Sequence, residues 1–287
     1  MVKGIILGVS LALLPGCLTS IPASHVGFRC DSDAQCDAAS GCVGHVCREG
    51  GHIPNAANTG VPPGVVLMSS SGLVLATAGA VIDGLDITGC VEIHANDVTL
   101  RRSRVRCSGA DVVRLADETQ GTLLEDVELD GLDGGWSNGV AGAGSATLER
   151  VNIHGVYSGV ALAAGTVVQN SYVHDLVGAG GNAFFLLQGS NVTLDNDHCD
   201  VADKQTSCIF VSAQNADING VTVKRSLLNG GGITAYFDDA QHAATNIRVE
   251  SNRFGRGYGY GLFQVTSTSI TFSDNVWDDT STPVPTP

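Results

Sequence analysis

One short pattern recurs nine times between residue 80 and the end of the chain: apolar, any, apolar, two polar, any, any, apolar. The copies are AVIDGLDI ending at Ile87, VTLRRSRV at Val105, TLLEDVEL at Leu129, ATLERVNI at Ile153, TVVQNSYV at Val173, VTLDNDHC at Cys199, VTVKRSLL at Leu228, IRVESNRF at Phe254 and ITFSDNVW at Trp277. From the first anchor to the last they span 190 residues, a mean period of about 24. The position five before each anchor holds Ile82, Leu100, Leu124, Leu148, Val168, Leu194, Val223, Val249 and Phe272, all apolar in a chain that is 43% hydrophobic. Alternation within each copy reads as a strand with one face buried. A second apolar stretch follows in most copies: VEI near 91, VVRL near 112, VALA near 160, FFLL near 184, CIFV near 208, ITAY near 233 and GLFQV near 261. Strand, turn, strand, turn at a constant period describes a β-solenoid. Propeller blades need about 40 residues, and leucine-rich repeats need a Leu and Asn consensus that is missing here.

This repeat resembles the right-handed parallel β-helix of the pectate-lyase-like superfamily. The expected fold is therefore all-β: a right-handed, single-stranded parallel β-helix of about nine coils, roughly 40 Å long at one strand spacing per coil. The stretch Asn58-Thr59-Gly60-Val61-Pro62-Pro63-Gly64 is similar to the segment that leads into a group of bacterial secreted β-helix proteins. So are Gly230-Gly231-Gly232, Asn252-Arg253-Phe254-Gly255-Arg256 and Tyr260-Gly261. That resemblance covers residues 55 to about 265 and implies an association with polysaccharide. It transfers no specific chemistry.

The amino end sets the expected compartment. After Lys3, the apolar run IILGVSLALL at 5–14 is too short to span a bilayer, which takes roughly 20 residues. It fits the core of a secretory signal. Leu14-Pro15-Gly16-Cys17 resembles the lipobox of bacterial lipoproteins, which implies cleavage before Cys17 and a lipid on that cysteine. The expected organisation is a signal peptide at 1–16, a tether at 17–29, a small cysteine-rich knot at 30–47, a linker at 48–64, the β-helix at 65–279 and a Pro/Thr-rich tail at 280–287. The expected location is outside the cytoplasm, lipid-anchored in a bacterial envelope or at the cell surface. The membrane is met through the lipid alone.

Nine cysteines leave eight once Cys17 is lipidated, an even set suited to an oxidising compartment. Cys30, Cys36, Cys42 and Cys47 are expected to form two crosslinks among themselves. Cys90 and Cys107 fall on adjacent coils and should pair. Cys199 and Cys208 flank the loop DVADKQTS and should close it. A net charge of −14 with three lysines gives no basic face for nucleic acid. The expected state is a monomer.

Stacked coils turn sequence columns into stripes. The residue after each anchor should point outward: Thr88, Arg106, Asp130, His154, His174, Asp200, Asn229, Gly255 and Asp278. The column before the anchors adds Glu128, Asn152, Tyr172 and His198. Candidate proton-transfer groups are therefore His154, His174, Asp130, Asp200 and Lys204, with Tyr172, His198 and Asp175 as substrate contacts. A glycoside hydrolase needs two carboxylates about 5 to 9 Å apart. A uronate lyase would need a base and a cation, for which nearby aspartates could hold Ca²⁺. Against both stands a simpler reading, since outward positions of a solenoid are polar by default.

Relatives in the resembling group often carry His-x-Asp-Gly before a strand ending in Gln-Gly. Here that stretch is Gly180-Gly181-Asn182-Ala183-Phe184-Phe185-Leu186-Leu187-Gln188-Gly189, with Asn182 where the acid belongs; if that acid is catalytic in the relatives, the resemblance implies binding without cleavage. Asp195-Asn196-Asp197-His198-Cys199-Asp200 opens like a calcium loop but lacks its glycine and distal Glu. Ser226, Asn252 and Asn275, two before their anchors, are expected to form an inward polar ladder. Three functions stay open: a polysaccharide-acting hydrolase or lyase, a non-catalytic glycan-binding or adhesive surface protein, and a structural envelope component. Binding or processing of extracellular polysaccharide is preferred.

Overall fold

A computed structural model describes Ser40–Val43, Val46–Glu49 and residues 52–239 and 241–287. Among these residues there is no helix. The chain winds as an all-β parallel solenoid of about eight turns, and the nine copies of the pattern stack in register. The anchors pair in one ladder, Ile87 with Val105, Val105 with Leu129, and so on through Phe254 with Trp277. The column five residues earlier forms a nine-stranded sheet from Ile82 to Phe272. A third ladder carries Val91, Val113, Val140, Val160, Phe184, Ile209, Ala235 and Phe263. Counted in chain order the nine-stranded sheet is the first ladder and the anchors form the second; the second and third ladders share one 17-stranded sheet, continuous where Leu85–Ile93 runs from one to the other. A strand at Met68–Leu75 precedes the first copy and pairs with Leu85–Ile93. The third ladder also includes Asn138–Gly142, whose sequence NGVAG carries little apolar signal.

The core is the interior of the tube. Ile87, Leu100, Leu124, Leu129, Leu148, Ile153, Phe184 and Phe254 are completely buried. Each such side chain contributes roughly 1.5 to 3 kcal/mol of transfer free energy. Because parallel ladders bring equivalent residues together, an apolar side chain on one rung rests on its counterpart above and below.

Each bend from the first ladder to the second uses one residue in the left-handed region, always three before the anchor. These are Gly84, Arg102, Asp126, Arg150, Asn170, Asn196, Arg225, Ser251 and Asp274, with φ between 45° and 72°. The next residue turns its side chain inward. Ser103, Ser171, Asp197, Ser226, Asn252 and Asn275 all lie there, buried. The oxygens of Ser171, Asp197, Ser226, Asn252 and Asn275 accept the amide hydrogens of Val151, Ser171, Asp197, Ser226 and Asn252 on the preceding rung, at 2.9–3.0 Å. The tight bend leaves these amides without a strand partner, and the column satisfies them. The expected ladder of Ser226, Asn252 and Asn275 is thus present and extends back through Asp197.

Two disulfides are present. Cys90–Cys107 clips the first two rungs at a Cα separation of 5.0 Å. Cys199–Cys208 (5.7 Å) joins the second ladder to the third inside the tube, with both cysteines fully buried. Ser40–Val43 and Val46–Glu49 form an antiparallel hairpin. The pairing of Cys30, Cys36, Cys42 and Cys47 and the segment around Cys17 lie outside the described residues.

Residues 52–64, expected as a linker, lie against the rod. The carbonyl of His52 accepts from Asn196 Nδ2 (3.1 Å), that of Pro54 from His198 Nδ1 (2.7 Å), and the amide of Gly60 donates to the carbonyl of Arg150 (2.8 Å). Asn55 and Asn58 staple the segment locally by bonding the amides of Ala57 and Asn55. Gly60 fits closely over Asn152, which a Cβ there would approach to 3.1 Å. This strap follows the rod axis from the sixth rung back to the fourth.

Candidate functional site

The outer face of the second ladder gathers most of the side chains singled out in the sequence. Residues one before and one after an anchor point the same way, so each rung offers two positions. On successive rungs these are Glu128 and Asp130, Asn152 and His154, Tyr172 and His174, then His198 and Asp200. Register pairing aligns the rings into one stack. Ring centroids are 5.3 Å apart for His154 and His174, 4.2 Å for His174 and Tyr172, and 4.5 Å for Tyr172 and His198.

The hydrogen bonds define the electrostatics. His154 Nε2 lies 3.4 Å from Glu128 Oε1, and its Nδ1 lies 3.8 Å from Asp130 Oδ1. The Glu128 carboxylate raises the pKa of His154, against the effect of its burial. In return, His154 and then Arg104 hold Glu128 below the usual carboxylate range. His174 is held at both nitrogens, by Asp175 Oδ2 (2.7 Å) and Asn152 Oδ1 (2.9 Å). His198 donates Nδ1–H to the strap carbonyl of Pro54, and burial pushes its pKa down. Burial, then the charges of Asp200 and Asp175, push the Tyr172 hydroxyl up to about 12.

The remaining candidates are less engaged with the stack. Asp130 Oδ1 accepts from the amide of Leu132 (2.8 Å), and Asp200 Oδ1 from Asn229 Nδ2 (2.8 Å). Lys204 sits on the loop between the second and third ladders. Its carbonyl accepts from Gly180, and its side chain is exposed. Asn182 lies on the third ladder, where its Oδ1 accepts from Ser207 Oγ. Among the described residues, no three His, Cys, Asp or Glu side chains converge to hold a metal ion.

Three features escaped the sequence reading. Glu128 stood in the right column, yet it is the main partner of His154 rather than a bystander. The strap covers part of the stripe through main-chain carbonyls, which side-chain type does not advertise. At the corner between the second and third ladders, Trp136 lies against Tyr157 (4.4 Å between centroids, planes tilted by 45°) while staying 82% exposed. Farther along, on the loop after Phe254, Tyr260, which the sequence does offer as a sugar-stacking ring with Tyr172, Tyr236 and Tyr258, is 91% exposed. Beyond the strap the same outer face opens into a cavity of about 370 Å³ lined by His198, Asp200, Asn229, Arg256, Asp278 and Asp279, among others.

Comparison with known proteins bears on the fold. No curated protein matches the sequence. Two solved structures are similar in fold: Asp-to-Ala variants of the catalytic domain of a GH87 alpha-1,3-glucanase, one in complex with tetrasaccharides and one with nigerose. The first is 13% identical, with a TM-score of 0.45, and the likeness covers 72% of this chain and 58% of that one. The second is also 13% identical, with a TM-score of 0.36, covering 72% and 57%. The chain thus spans less than two thirds of the length of either. Residues 138–282, half of the chain, match the family described as "Right handed beta helix region", and the chain belongs to that family.

Proposed function

We propose that this chain is an exported, lipid-anchored surface protein that holds extracellular polysaccharide along its rod without cleaving it. The observation that carries this reading is the pair of exposed ring sites, Trp136 on Tyr157 and Tyr260 farther along. Trp and Tyr are enriched where a partner covers a surface, because one ring offers both apolar area and a polar tip. The flat face of such a ring suits the C–H face of a sugar, while the carboxylates and amides beside it accept bonds from hydroxyls. Trp136 follows the third anchor and Tyr260 the eighth, so the two sites are about 24 Å apart at one strand spacing per rung. A polymer can reach both, and engaging both multiplies affinity.

Neither carboxyl of perturbed acidity near the stack is placed to serve as the acid of a hydrolase. Glycoside hydrolysis needs a protonated carboxyl beside an ionised one. Glu128 is held low by His154 and Arg104. Asp197 is raised, but it is buried in the inner column, out of reach of a ligand. Both nitrogens of His174 are occupied.

Affinity electrophoresis against a panel of neutral and acidic polysaccharides tests the reading, with assays for reducing ends and unsaturated products alongside. Retention by at least one polymer, roughly tenfold weaker in Trp136→Ala at unchanged melting temperature, is the expected result. Product release that disappears in Glu128→Gln or His174→Ala would replace this reading with an enzyme. No retention by any polymer would end it. Fractionation of expressing cells tests the anchor, since Cys17→Ser should move the chain out of the membrane fraction.

A further inference from the structure

The cavity beyond the strap says which kind of sugar the face accepts, and the argument rests on the polysaccharide-binding reading above. Three carboxylates line it: Asp200, Asp278 and Asp279. Its one arginine, Arg256, is committed. Arg256 donates to Asp279 at 2.7 and 3.2 Å and lies over the Trp277 ring at 4.0 Å. Arg253, just outside, pairs with Asp278. The cavity is also shaped. Asn229 donates to Asp200 and accepts from the amide of Gly257 (3.0 Å), which fixes the Asp200 carboxylate. Residue 255 must be glycine, because a Cβ there would come within 2.0 Å of Asn229 Oδ1. Toward the other end of the face stand Asp175, Asp130 and Glu128, and the basic groups there, Arg104 and His154, both bond Glu128.

We propose that this cavity holds a neutral, hydroxyl-rich sugar unit and that the outer face discriminates against uronate polymers. Carboxylates only accept hydrogen bonds. Sugar hydroxyls donate them, and two adjacent hydroxyls match the two oxygens of one carboxylate. A uronate adds an acceptor and a negative charge beside Asp200, the cavity carboxylate bonded to an amide rather than to an arginine, on a chain of net charge −14. Like charges facing each other across an interface are a strong means of rejecting a partner.

The test is titration of the full chain with neutral glucans and xylans and with polygalacturonate and alginate, at low and high salt. At about 0.05 M salt the best neutral polymer should bind at least roughly tenfold tighter than either acidic one, and the gap should narrow at about 0.5 M as charges are screened. Asp200→Asn should weaken the neutral polymer several-fold, and Asp200→Lys should narrow the gap further, with melting curves checking that both variants fold. An acidic polymer bound at low salt as tightly as any neutral one would overturn the inference while leaving polysaccharide binding intact. Failure of every polymer to bind would remove the binding reading, and this inference with it.

Discussion

Two columns of polar side chains run along the rod, three residues apart in the sequence. The inner column, two before each anchor, holds Ser171, Asp197, Ser226, Asn252 and Asn275, all buried and each bonded to a backbone amide one rung back. The outer column, one after each anchor, holds Asp130, His154, His174 and Asp200, bonded mainly to other side chains and partly open to water. A polar group inside must be satisfied or it costs free energy. A polar group outside has water as an alternative. The inner column is therefore expected to govern stability, and the outer one to be free for recognition.

The largest test falls on Asn252. Its Oδ1 accepts from Ser226, and its Nδ2 donates to the carbonyl of Val223 (2.9 Å) and to Asn275. Asn252→Ala should cost about 3 kcal/mol, because it strands two buried backbone groups. A chemical-denaturation midpoint close to the parent's would break the comparison. The next test uses Asp197, whose pKa burial raises well above the usual carboxylate range. A raised acid gives stability that is complete below its unfolded value, about 4, and is lost as pH climbs through the folded value. The melting temperature of Asp197→Asn minus that of the parent should therefore grow more positive from about pH 4 upward. A difference independent of pH would show that the buried carboxyl is not strained by ionisation.

The smallest effect belongs to the outer column. Glu128 is lowered, so its part is present above about pH 4.3 and is lost as pH falls through its folded pKa. His154 is raised, so its part is complete below about pH 6.5 and fades as pH rises through its folded pKa. The pair is strongest between those limits. His154→Gln should cost about 0.5 kcal/mol near pH 6 and less near pH 9, given partial solvent screening. A loss as large as that of Asn252→Ala would mean that the outer column is structural too.

What the sequence made legible follows the same division. Apolar columns announce themselves because burial on every rung forbids exceptions, so both the anchors and the residues five before them could be placed one by one. Ser226, Asn252 and Asn275 were legible as a column of small polar residues at one register. Asp197 was not, because it sits in a run with Asp195 and Asp200 that reads as a patch of surface acid, and only its place in the turn sends it inward. The left-handed residue of each bend was hidden at Arg102, Arg150 and Arg225, since arginine carries no preference for that conformation. The strand at Asn138–Gly142 was missed because glycine and alanine replace the apolar alternation. The outer ring stack follows from register alone, whereas the loops that hold Trp136 and Lys204 apart from it follow no repeat.

The strap has a mechanical consequence. Its contacts begin at the sixth rung, through His52 and Pro54, and end at the fourth, through Gly60. A pull applied to the chain before His52 therefore enters the rod at its flank, midway along its length. The bonds from Asn196 and His198 to the strap lie between such a pull and the stacked coils beneath. The strap, held by a few hydrogen bonds, would give way before the paired coils do.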